Sequence, residues 1–208
     1  MPESLRRLAP LTGIPFAVLL AVTFTSPSTP DVHDTGAQVI SHYQAHHGAH
    51  LLGDLTGGVA VVFFLFFVSS LRSYFKDKDG AEGLSMTAFA GGILIAVGGA
   101  IFTSLDVALI DARNDIAPQA AQALNVLSND FFFPFEIGLI VFSISIGLAI
   151  IASGALPKWL GWVQVVIGVA AFTPVGFFGF FVTLVWSVIV SILIYRRSGS
   201  RTVAPAPA

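Results

Sequence analysis

Cysteine is absent from this 208-residue chain, which excludes disulfides, thiolate metal sites, thiol redox chemistry and cysteine nucleophiles. Charge is almost as scarce. Only 11% of the residues are charged and 55% are hydrophobic, where an ordinary soluble domain carries about 25% charge. So few charges could hardly cover a water-soluble surface. The 10 basic residues form no block that could track phosphates, and the formal net charge is −2, so no nucleic-acid partner is expected. The length suits one domain.

What the chain has instead is apolar runs long enough to cross about 30 Å of hydrocarbon, for which a helix needs about 20 residues. Spans are read at 8–25, 49–71, 84–110, 131–153, 159–173 and 175–195. The first and fifth are short, and Gly13 and Pro15 interrupt the first. Arg6 and Arg7 before an apolar stretch also suit a signal peptide, but no small-x-small cleavage site precedes Ser26, so a retained span is expected. Thr173, Pro174 and Gly176 break the last apolar region into a hairpin. Unbroken, 159–195 would run about 55 Å at 1.5 Å per residue.

Basic residues set the orientation. With the N-terminus inside, Arg6, Arg7, Arg72, Lys76, Lys78, Lys158, Arg196, Arg197 and Arg201 are cytoplasmic and only Arg113 is outside. The expected fold class is therefore all-α: a multi-pass six-helix bundle in the cell membrane, one domain over 1–197 with both termini cytoplasmic, and a disordered tail over 198–208. Two outer segments, 35–47 and 117–130, read as short helices. In the third span Ala88, Gly92, Ala96, Ala100 and Ser104 recur every four residues, a small-residue stripe for helix packing. Trp159, Trp162 and Tyr195 suit the inner aromatic belt.

Polar residues concentrate at the other end. All five histidines (His33, His42, His46, His47 and His50) lie in or beside the first outer segment. If a helix runs from there into the second span, His42, His46, His50 and Asp54 follow at i+4 and share a face. That donor set suits a divalent metal such as zinc, with His46, His47, His50 and Asp54 as candidate ligands. Gly48 is the position at which such a helix could break. Asp54, Asp106, Asp130 and Glu136 fall at similar depth in the outer third of the membrane. A charge in lipid costs on the order of 3 kcal/mol or more, so such groups usually face inward and carry a role. Asp54, Asp106 and Glu136, from three spans, are the candidate catalytic acids and bases.

The six-span plan, the arginine pair before the first span and the run LPKWLGW at 156–162 resemble the small bacterial membrane-protein families of unknown function, actinobacterial in type. That resemblance implies the plan and no activity. Quinone-coupled thiol enzymes need cysteines, and cytochrome b-type haem bundles need histidines deep in facing helices. Rhomboid-type proteases need a Gly-x-Ser-x-Gly nucleophile, and ceramidase-like hydrolases need histidines on late spans. This chain has none of these features.

Three functions follow. The first is an enzyme acting on a hydrophobic small molecule, lipid or isoprenoid by acid/base or metal-assisted chemistry. The second is an accessory or sensor subunit with a protein partner still to be identified, reading pH or metal through its histidines. The third, a proton- or cation-coupled carrier, is weakest, because no acid lies near the midplane or in the inner half.

Overall fold

The computed structural model describes residues 7–173 and 176–199, and these are all helix, turn or loop. A 3-10 turn, Ala9–Thr12, leads into α1 (Gly13–Thr23). Then come α2 (Gly36–Phe75), α3 (Glu82–Ala112), α4 (Pro118–Asp130), α5 (Phe133–Ser153), α6 (Lys158–Ala170) and α7 (Gly176–Gly199). By length and composition four segments could cross a membrane: α2, α3, the consecutive pair Pro118–Ser153, and Phe178–Arg197 within α7. Ala9–Thr23 and Lys158–Ala170 are apolar but shorter.

The outer helix expected at 35–47 and the second span are one helix of 40 residues. Its start is fixed by a capping box, in which the Thr35 hydroxyl accepts from the Gln38 amide while the Gln38 side chain accepts from the Thr35 amide. Gly48 does not break it, since one glycine weakens a helix by only about 1 kcal/mol. At 1.5 Å per residue α2 is about 60 Å long, twice the thickness of the hydrocarbon. A quarter or more of it must therefore project beyond a membrane. The second outer helix is present as α4, with Pro118 at its first position.

Helices α3 and α5 pack backbone against backbone. A Cβ at Gly91 would come within 2.5 Å of the Phe142 amide nitrogen, and one at Gly138 within 2.6 Å of that of Ile95. The small-residue stripe is buried only over Ala88, Gly92 and Ala96, with Gly92 against Val68 of α2, whereas Ala100 and Ser104 are exposed. The backbone contacts of α3 with α5 thus use Gly91 and Gly98, off the stripe. Around Trp186 of α7 gather Phe67 of α2 and Phe142 of α5, and its indole N–H donates to the Leu160 carbonyl at 3.1 Å.

The two ends of the bundle differ. At one, Arg7 lies over the Tyr195 ring, the Tyr74 hydroxyl and Arg197 both donate to the Ala155 carbonyl, and Lys78 lies over Tyr74. Trp159 and Trp162 are exposed on α6 near this end. Helix α7 continues through Gly199, two residues into the expected tail; Arg6, Pro174 and Arg201 and the rest of the tail lie outside the described residues. At the opposite end, the projecting turns of α2, the end of α3 and α4 enclose a small apolar layer of Val39, Tyr43, Leu109, Ile110 and Ala121.

Candidate functional site

That outer layer is built on a close crossing. A Cβ at Gly36 would fall 1.7 Å from the Pro118 carbonyl oxygen, so α2 and α4 can meet only at glycine. Asn125, fully buried in α4, donates to the Asp31 carbonyl at 2.9 Å, and Asn129 donates to that of Pro30 at 3.3 Å. These bonds pin the loop that leads from α1 into α2. Beneath the layer, the side chains of α2 meet Asp106 of α3.

Asp106 is 3% exposed and is held at both oxygens. The Tyr43 hydroxyl donates a short hydrogen bond to Oδ1. His50 Nδ1 lies 3.2 Å from Oδ2. Its other ring nitrogen, Nε2, is 3.0 Å from His42 Nε2. An ionised Asp106 makes His50 Nδ1 the donor, so in neutral His50 Nε2 accepts from His42. Taking up a proton reverses the second bond without moving a heavy atom. His42 stacks on His46 with ring centroids 4.7 Å apart, and His46 is exposed. A chain of donors and acceptors therefore runs from the protein surface through His42 and His50 to Asp106.

Asp54 comes one turn further along α2. It lines the same cavity as Asp106. Its Oδ2 is buried and has no hydrogen-bond partner. Over the pair lies a cavity of about 190 Å³, walled by α1, the loop after it, α2 and α3; its lining includes Thr23, Phe24, Ser26, Asp54, Phe102 and Asp106.

Outside the segment read as the second span, two groups respond to this surrounding. Burial, then the nearby His50 and His46, hold His42 below the usual histidine range. Burial, then the Asp106 charge, push the Tyr43 phenol up.

The expected residues divide as follows. Asp54, Asp106 and His50 come together, and the face 42, 46, 50 and 54 exists as read. Glu136 is half-buried in the first turn of α5 and does not line this cavity; Asp130 is exposed at the end of α4. The metal set does not assemble. His46 and His47 are exposed, with ring nitrogens on the carbonyls of His42 and Gln44, and both nitrogens of His50 are engaged. Among the described residues no group of three His, Asp or Glu could hold a metal ion. Tyr43 was not singled out in the sequence, although it stands seven residues before His50 and so on the same helical face. Comparison with protein-family models, curated proteins and solved structures finds no match to this chain.

Proposed function

We propose that this is a six-span protein of the cell membrane, with both termini cytoplasmic, whose outward-facing pocket performs acid/base chemistry on a hydrophobic or lipid-like substrate. The observation that carries this reading is the pairing of a fixed acid with a free one. Asp106 is anchored by Tyr43 and His50, while Asp54, in the lining of the same cavity, has a buried oxygen without a hydrogen-bond partner. In this reading Asp54 is the group that exchanges a proton with substrate. Asp106 orients it and shares that proton, and His50 with His42 connects the pair to outside water. Phe24 and Phe102 give the substrate apolar walls. The six-span plan rests on the segregation of basic residues, on the distinct bundle ends, and on counting the two shorter apolar helices as spans.

The test is comparative lipid and isoprenoid profiling of membranes carrying the wild type, Asp54→Asn or Asp106→Asn. General acid/base catalysis contributes about 10²–10⁴-fold, so Asp54→Asn should erase any product the wild type makes. Unchanged turnover in both variants would sink the reading. A second reading, a pH-responsive accessory subunit, is favoured by the run of histidines to the surface. Its signature is a partner that co-purifies at neutral pH and dissociates in acid.

A further inference from the structure

We infer that His42 is a proton-operated gate over His50: the pair holds one added proton in place, and a second turns His42 out towards water. As a regulator of the acid pair this gate rests on the acid/base reading; its geometry does not.

His42 and His50 stand on one face of α2 with Nε2 facing Nε2 at 3.0 Å. Only one hydrogen fits between two nitrogens at that separation. His50 Nδ1 gives its hydrogen to Asp106 at 3.2 Å, so the neutral pair has one N–H and one lone pair in the shared contact. An added proton goes to His42 Nδ1, or to His50 Nε2 with His42 turned acceptor. In both states a single hydrogen still lies between the rings. A second added proton makes both rings cationic, and two N–H groups then point at each other. One ring must leave.

The surroundings decide which. His50 is 4% exposed, is tied to Asp106 and lies against the Tyr43 ring at 4.9 Å between centroids. His42 is half-buried and packs on exposed His46, so His42 is the ring with somewhere to go. Burial, then His50 and His46, hold His42 below the usual histidine range, against the pull of Asp106 on α3 and Asp34 in the loop before α2. Of the other ionisable groups on these elements, Asp31 and His33 in the loop and Asp111 on α3 are exposed. Arg113, at the end of α3, donates to the Ile110 carbonyl. Helix α1 has no ionisable residue, and α4 has only the exposed Asp130 at its far end. The second step therefore falls on the acid side of ordinary histidine titration. With His42 turned out, His50 Nε2 loses its cover and exchanges protons with water directly, so acid in the surrounding water reaches Asp106 through one ring instead of two.

The test is nuclear magnetic resonance of the full-length protein in nanodiscs, labelled with nitrogen-15 at histidine and tryptophan, from about pH 8 to about pH 5. A nitrogen–nitrogen coupling across the His42–His50 hydrogen bond is expected at neutral pH. It should persist as the pair takes up its first proton and vanish at the second. The Trp186 indole N–H signal, which reports the bond to the Leu160 carbonyl in the core, should stay throughout. His46→Gln removes a neighbouring charge and should move the second step up by about half a pH unit. His42→Phe keeps a ring and should leave His50 titrating in a single step; either variant serves if the other does not fold. Several results overturn the inference: no coupling at neutral pH, its loss at the first step, its persistence to the acid limit, or its loss together with the Trp186 signal. An unmoved second step in His46→Gln does so too.

Lipid turnover in Asp54→Asn keeps the two proposals apart. If the coupling vanishes at the second step but turnover survives the loss of Asp54, the acid/base reading fails and the gate stands. If turnover needs Asp54 but the coupling persists in acid, the gate alone fails.

Discussion

At the residue scale, two side chains outside the proposed span set the pH limits of the fold. His42 is held neutral by burial and by its histidine neighbours. Below its ordinary value of 6.5 the unfolded chain takes up a proton that the folded chain refuses, so stability falls as pH drops through that region. Tyr43 is held protonated, so above its ordinary value of 10.0 the unfolded chain releases a proton that the folded chain keeps, and stability falls again. The melting temperature should therefore be flat between these limits and decline on both sides. Tyr43→Phe leaves Asp106 Oδ1 buried without its donor and should cost about 1–3 kcal/mol throughout the plateau. The same scale shows how much of the site was legible. The fourfold spacing of 42, 46, 50 and 54 fixes a helical face without any tertiary information. That Asp106 stands opposite His50, rather than Glu136, depends on how α3 and α5 rotate about their axes. The helices meet backbone to backbone at Gly91 and Gly138, and nothing in the local pattern names those partners.

At the scale of elements, the projecting part of α2 and the short helix α4 form a cap over the acid pair, and two glycines in α2 have opposite roles there. Gly36 lies against the Pro118 backbone, whereas a Cβ at Gly48 would meet nothing within 4 Å. Gly36→Ala should destabilise by about 1–3 kcal/mol or more, because backbone must move to admit it. Gly48→Ala should stabilise by about 0.5–1 kcal/mol, as alanine does in an exposed helix interior. Chemical denaturation of the two variants in one detergent checks the contrast; a similar effect from both would mean that α4 does not dock on α2. The helical character of both outer segments was legible from capping residues and Pro118. Their fusion and docking were not, since a lone glycine within a helical pattern is compatible with either a break or a continuous helix.

For the whole molecule, apolar runs and sparse charge announced a helical membrane bundle. The four longest helices match the spans read at 49–71, 84–110, 131–153 and 175–195. The short first and fifth segments are helical as expected, but length alone does not make them spans, and sequence hydropathy has no way to weigh their packing against α2 and α5. The missing cysteines supply a clean test of the six-span plan. Ala45→Cys on the projecting turns of α2 should react with a membrane-impermeant thiol reagent on intact cells. Asp77→Cys, in the turn after α2, should react only after lysis. Labelling of both from outside, or of Asp77→Cys alone, contradicts the proposed orientation.

The acid/base reading of this site requires that Asp54 and Asp106 hold one proton between them. Infrared spectroscopy of the purified protein in water and in deuterium oxide reads that proton as a protonated-carboxyl stretch. We expect the band at neutral pH in the wild type, a shift in deuterium oxide, and its loss in Asp54→Asn. No such band in the wild type, or a band unchanged in Asp54→Asn, would contradict the shared proton and the site built upon it.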